Sequence, residues 1–156
     1  MSFTIRQATY DDLPEMKKLY VGTITTVCTN DYDALQIEVW SSSVQNTQRW
    51  LDLIDNQLVL IAAKDNTITG FCSLENNAYI DFMYVHKNYQ RQGIADILLS
   101  ALEEQAKNAG TTLLTSDISK TARPFFEKRG FAVVTEQINL RKGIEIINYK
   151  MRKELF

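Results

Sequence analysis

The stretch YVHKNYQRQGIADILL, Tyr84 to Leu99, leaves an apolar strand-like segment, crosses a polar turn and enters an amphipathic helix. It holds one glycine, Gly93, preceded by Gln90, Arg91 and Gln92. A strand that stops at such a turn and restarts as a helix leaves the first helical N–H groups without partners. Those amides, with the positive end of the helix dipole, favour an anion. Gly93 lets a bulky anion approach the backbone, Ala95 keeps the next turn narrow, and Arg91 adds charge. The same residues also suit an ordinary strand-to-helix turn with a solvated polar surface. No Gly-Lys-Ser/Thr follows, which excludes a Walker A loop, and the three glycines of a dinucleotide fingerprint are absent.

Upstream, AYIDFMYV (Ala78 to Val85) is nearly apolar and predicts a central strand covered on both faces. LVLIAAKDNTITGFCSLEN (Leu58 to Asn76) reads as strand, tight polar turn, strand. Two short helices precede it: NDYDALQIEVW, with Leu35, Val39 and Trp40 inward, and NTQRWLDLIDNQ, with Trp50, Leu53 and Ile54 on one face. FTIRQA (Phe3 to Ala8) alternates as a half-buried strand, and TYDDLPEMKKLY starts a helix with Pro14 in its first turn. The segment from Val21 to Ser43 has no clear period. Downstream, Ile94, Ile97, Leu98, Ala101, Leu102 and Ala106 form one helical stripe that Gly110 closes. TTLLTSDI is a further strand, TARPFFEKRG a short helix, and FAVVTEQINLRKGIEIINYKM a hairpin turning near Lys142-Gly143. The expected fold class is α/β: one domain over residues 1–156, with a mixed, mostly antiparallel sheet of about seven strands and helices on both faces.

Composition narrows the function classes. The chain has 156 residues, 45% of them hydrophobic, enough for one core without disulfides or metal. Charged residues are 23% and mixed in sign, with a net charge of −2. That balance argues against a nucleic-acid binder and against a polybasic membrane anchor. Cys28 and Cys72 belong to no CxxC, and His86 is the only histidine, so a Cys/His metal site is not expected. MSFTIRQATYDDL has no apolar core of signal-peptide length, and no apolar run approaches a membrane span. The expectation is a soluble cytoplasmic protein with free thiols, a monomer or a homodimer.

QRQGIA, Gln90 to Ala95, resembles the Q/R-x-x-G-x-G/A motif of the GNAT N-acetyltransferase superfamily. SKTARPFFEKRGF, Ser119 to Phe131, resembles that family's second cofactor segment, with a polar residue, an Ala three later, an aromatic pair and a final Gly-Phe. The two occur in the right order and separation, and the element order fits almost end to end. The resemblance implies acetyl-CoA as co-substrate, no metal, and a small amine as acceptor, after the manner of bacterial small-molecule members. It implies that the turn Gln90, Arg91, Gln92, Gly93, Ile94 and Ala95 holds the pyrophosphate through its backbone amides. The backbone of Met83, Tyr84 and Val85 would pair with the pantetheine arm. Ser119, Ala122 and Phe125 would flank the far end, although Phe125, Phe126 and Phe131 also read as core.

Acyl transfer to an amine needs a neutral amine, and a positioned base contributes about 10²–10⁴-fold. Asp81 is the candidate: it is the only charge in AYIDFMYV, and strand alternation puts it on the face of Met83 and Val85. Among apolar neighbours its pKa is expected to rise. The alternative is a structural hydrogen bond, with Glu75 as the reserve base. His86 suits a rim position, and Cys28 and Cys72 read as small buried hydrophobes. The chain departs from the family at Phe126, where many members carry a Tyr that protonates the departing sulfur. Phe has no proton to give. Releasing a thiol of pKa about 8.5 as thiolate near pH 7 costs only about 2 kcal/mol, so turnover is slowed rather than forbidden. Tyr84, Tyr89 and Tyr149 are the possible substitutes, with Tyr84 taken as the second catalytic candidate. For the acceptor, Tyr32, Trp40 and Trp50 are a candidate aromatic wall, unless the two tryptophans simply anchor their helices. Asp31 and Asp33 would suit a cationic amine. The rival function is an acyl-CoA-binding sensor that has lost catalysis.

Overall fold

Asp65 with Asn66, Asn76 with Asn77, and Lys142 with Gly143 all hold positive φ. Paired positive φ lets a two-residue loop match the right-handed twist of its flanking strands, and Asn, Asp and Gly tolerate it best. The computed structural model, which describes residues 2–156, has strand reversals at all three places. They organise a seven-stranded sheet in the order β1 (Thr4–Gln7), β2 (Leu58–Lys64), β3 (Thr67–Glu75), β4 (Tyr79–Val85), β5 (Leu113–Ser119), β7 (Ile144–Glu154) and β6 (Ala132–Arg141). Every neighbouring pair is antiparallel except β4 and β5. The sheet is therefore mixed and mostly antiparallel, with β4 in its middle.

Helices cover both faces. α1 (Leu13–Val27), α2 (Ala34–Ser41) and α3 (Thr47–Asn56) bury Leu19, Ile24, Trp50 and Leu53 against Phe71 and Phe82. α4 (Ile94–Asn108) and α5 (Arg123–Lys128) bury Leu98, Leu102 and Phe126 against Leu74, Ile80 and Met151. Gly70 lets α4 approach β3 closely: a Cβ there would stand 2.9 Å from Ile94 Cγ2 and 3.2 Å from Leu98 Cδ1.

Local expectations fail where tertiary packing outweighs pattern. β1 is exposed along its whole length rather than half-buried, because it is an edge strand paired only with β2. α1 runs on through Val21–Val27, where Gly22 and β-branched residues weaken helix propensity. Burial of Thr23 and Ile24 holds it in place. In α2 the inward residue is Ile37, and Leu35 faces solvent. In α4 Leu99 is buried and Ile97 exposed, since the stripe follows Ile94, Leu98 and Leu102 at intervals of four.

Candidate functional site

β4 and β5 pair only at Tyr79↔Thr115 and Ile80↔Ser116, where Ser116 Oγ donates to Ile80 O at 2.6 Å. Past that clasp the strands diverge around a cavity of about 570 Å³, lined from both faces of the sheet. A bulge starts the divergence. Cys72 pairs with Met83 but Leu74 with Ile80, so Asp81 and Phe82 together oppose Ser73, whose Oγ accepts the Phe82 N–H at 3.1 Å. His86 N–H bonds to Thr69 O, at 2.8 Å, on the β3 side. By strand alternation the amides of Met83 and Val85 then point the other way, into the cleft. The Tyr84 amide points to β3, so of the three expected cofactor-pairing residues two present their backbone.

At the open end of the cleft Gly93 (φ 82) starts α4 with no side chain capping it. The first intrahelical bond is Ile97 N–H to Gly93 O, at 3.1 Å. The amides of Ile94, Ala95 and Asp96 therefore have no intrahelical acceptor. Gly93 has nothing within 4 Å of where a Cβ would stand, and Arg91, also at positive φ (59), is an exposed cation beside it. Gln92 is exposed and lies outside the cavity wall. The Gln90 side chain is committed to the scaffold: its Nε2 donates to Val85 O at 2.7 Å. Thr23 Oγ1 donates to the same carbonyl at 2.8 Å, a clamp from α1 that no sequence motif announces. Opposite, Ala122 and Phe125 line the cleft, and Ser119 Oγ accepts the Ala122 N–H at 3.1 Å. Phe126 is 1% exposed, edge-on to Phe125 and Phe131.

Asp81 lies in the cavity wall, but not on the face of Met83 and Val85: the bulge turns it toward α3. Its oxygens accept Arg49 Nη1 at 2.6 Å, Arg49 Nη2 at 2.7 Å and Gln57 Nε2 at 2.7 Å. The expected lone carboxylate in apolar surroundings is instead one half of a bidentate ion pair. That pair holds the Arg49 guanidinium above its usual pKa, chiefly through the hydrogen bond, and places it 4.6 Å from the Phe82 ring centre. A second carboxylate, Asp117 on β5, shares the cavity wall and was not singled out from sequence, although it is the lone charge in TTLLTSDI. It accepts Tyr79 O–H at 2.7 Å and Gln137 Nε2 at 2.8 Å, both neutral donors. Burial, then the bond to Asp117, pushes the Tyr79 hydroxyl above its ordinary pKa.

Tyr84 sits in an aromatic cluster with Tyr20, Phe71 and Phe82 on the α1–α3 side. Burial raises its pKa well above the ordinary value. Tyr20 in turn meets Ser43 Oγ at 2.6 Å. Tyr32 and Trp40 stand edge-on, 5.3 Å apart, in the cavity wall. Tyr32 O–H donates to Ile147 O and accepts the Lys120 N–H, and burial pushes its pKa up to about 12. Trp50 is 1% exposed and anchors the core of α3. Asp33 caps α2 by accepting Gln36 N–H, and Asp31 accepts Thr121 O–H, so neither lines the cavity. Glu75 and Tyr149 are also outside its wall. His86 Nδ1 accepts the Asn88 N–H in the loop after β4, and Cys28 and Cys72 are buried with raised pKa values. Among the described residues no three His, Cys, Asp or Glu side chains gather to hold a metal ion, and no helix is long and apolar enough to cross a membrane.

Comparison with known proteins bears on this arrangement. Residues 28–153 match the acetyltransferase (GNAT) domain family. The uncharacterised N-acetyltransferase YafP of Escherichia coli (strain K12) is 30% identical over 148 residues, 95% of this chain and 93% of that protein. The crystal structure of a GCN5-related N-acetyltransferase from Rhodopseudomonas palustris superposes with a TM-score of 0.94 at 29% identity, covering 99% of this chain and 96% of the other. PaiA N-acetyltransferase from Thermoplasma acidophilum, crystallised with coenzyme A, superposes at 0.79 and 22% identity over 99% of both chains.

Proposed function

The chain belongs to the GNAT acetyltransferase family, and from that membership and the shape of the cleft we propose that it moves an acetyl group from acetyl-CoA to a small amine by direct attack. The observation that carries the reading is the parting of β4 from β5 immediately above Ile80↔Ser116, with uncapped helix amides at its open end. Acetyl-CoA, when bound, supplies an activated thioester. The residues fit it: the amides of Ile94 to Asp96 and the Arg91 cation suit its pyrophosphate. The backbone of Met83 and Val85 suits the pantetheine amides, and Ala122 and Phe125 give it an apolar wall. Arg49 and Gln57 hold Asp81 at the cavity floor. Asp81 and Asp117 there hold the acceptor's ammonium and receive its proton, directly or through water, and Asp117 has the oxygens not bound to a cation.

Titration calorimetry with acetyl-CoA, followed by free-thiol release against a panel of amines, tests this. Binding with amine-dependent release supports the transferase; no binding overturns it. Phe126 favours a second reading, an acyl-CoA sensor, because it offers no proton to the departing sulfur. Binding without turnover against any amine supports that reading instead.

A further inference from the structure

The acceptor side of the cavity carries both oxygen acceptors and N–H donors. At its floor stand the oxygen acceptors Asp81 and Asp117. The β6–β7 hairpin contributes Asn139, Arg141 and Asn148 to the wall, and Asn148 is the neighbour of Asp117, since Gln137 Nε2 donates to both, at 2.9 and 2.8 Å. Asn148 Oδ1 accepts amide N–H from both Gln137 and Asn139, at 2.9 Å each, which leaves its own NH2 as a donor. Arg141 offers five N–H donors and no acceptor.

Three bonds fix this wall. Lys142 Nζ donates to Ser42 Oγ at 2.9 Å, Gln36 Nε2 to Glu145 O at 2.8 Å, and Tyr32 O–H to Ile147 O at 2.6 Å. Through residues that follow Arg141, the hairpin is thus tied to the α1–α2 connection, to α2 and to the α2–α3 connection. The Arg141 side chain takes no part: it makes no hydrogen bond or ion pair among the described residues, while Arg49, the other arginine on the acceptor side, is paired with Asp81. Its backbone is held and its guanidinium is free. An unpaired cation over an aromatic chamber favours an anion, and a guanidinium matches a carboxylate or phosphate oxygen pair with two parallel hydrogen bonds.

Resting on the acetyltransferase reading, we propose that the acceptor is an amine that also carries an anionic group, carboxylate or phosphonate, with the amine at Asp81 and Asp117 and the anion bound by Arg141 and the Asn148 amide. The donors and acceptors of the cavity then match the two ends of a zwitterion. Tyr32 and Trp40 flank the body between them.

The test uses matched probes on the full chain with acetyl-CoA: phenylalanine, its phosphonate analogue and phenethylamine, then the same comparison with shorter amino acids and their decarboxylated amines. The expected result is that the anionic member of each set is acetylated with kcat/KM at least about tenfold above the plain amine. The preferred member of the carboxylate–phosphonate pair identifies the source of the anion. R141A should raise KM for the anionic member about 10–100-fold, so that the preference collapses, with acetyl-CoA affinity retained as the sign that the chain is folded. R141K, which keeps the charge and loses the fork, should restore part of it. Equal or inverted selectivity in every set overturns the proposal. So does an R141A variant that keeps the preference. A chain that binds no acetyl-CoA at all fails earlier, on the acetyltransferase reading itself.

Discussion

The two halves of the cleft are built on different principles. On the α4 side the groups proposed to face the ligand are backbone: uncapped amides at Ile94, Ala95 and Asp96 and open strand amides at Met83 and Val85. On the α1–α3 side they are side chains gathered from five separate elements: Arg49, Asp81, Asp117, Asn148 and Arg141. Backbone recognition leaves a local trace in the chain, because a turn needs particular residues at particular places. Side-chain recognition leaves none until the fold brings the pieces together. The first half therefore suits a constant co-substrate and the second an individual acceptor.

The largest expected effect probes the side-chain half. Asp117→Asn keeps the size and the hydrogen bonds to Gln137 while removing the carboxylate. If it receives the amine proton, kcat should fall by about 10²-fold or more, with the acid limb of the rate profile flattened and acetyl-CoA affinity unchanged. Asp81→Asn alone producing that loss would move the role to Asp81. Equal, small effects from both would leave the floor purely structural.

The ion pair comes next. Arg49→Met keeps the stem that covers Phe82 but leaves the Asp81 carboxylate, only 10% exposed, with Gln57 as its sole partner. Breaking such a pair from one side should cost on the order of 3 kcal/mol, read as a lower urea midpoint. The double variant Arg49→Met, Asp81→Leu should recover most of it. A single variant as stable as the parent would show the pair to be energetically idle.

Gly93→Val addresses the backbone half. The space beyond Gly93 is open, so the cost is not a clash in the free protein but strain at φ 82 and a side chain where the anion would lie. Acetyl-CoA affinity should drop about 10–100-fold. Undiminished affinity would remove the turn from the site.

How legible the molecule was follows the same division. The turn, the strand before it and the Ser119–Phe131 segment could be read because their patterns are local, and the element order came with them. The acceptor wall could not. Asp81 was visible as a lone charge on a strand, but its face depends on a one-residue bulge opposite Ser73, and its partner is 32 positions away. The α1 extension past Tyr20 runs against propensity and is held by packing. Asp117 carries the same lone-charge signal as Asp81, but no motif surrounds it. Arg141 looks like any hairpin-tip arginine until Lys142 and Gln36 are seen tying the hairpin down.

The smallest expected effect separates the halves by titration. Tyr20, Tyr32, Tyr79 and Tyr84 line the acceptor side, and burial raises all four above the ordinary tyrosine value. Below pH about 10 both folded and unfolded chains keep these protons, and stability is indifferent to them. Above it the unfolded chain releases protons that the folded one retains, so stability falls as pH rises. Both tryptophans of the chain, Trp40 and Trp50, lie in this half, so their fluorescence reports it selectively. Between pH 8 and 11 the midpoint of thermal unfolding should fall, by ~2–4 °C for each kcal/mol lost. The Trp signal should change before acetyl-CoA affinity does, and Tyr84→Phe should flatten the slope. A midpoint indifferent to pH across that range would mean that these hydroxyls are wetter than their packing implies.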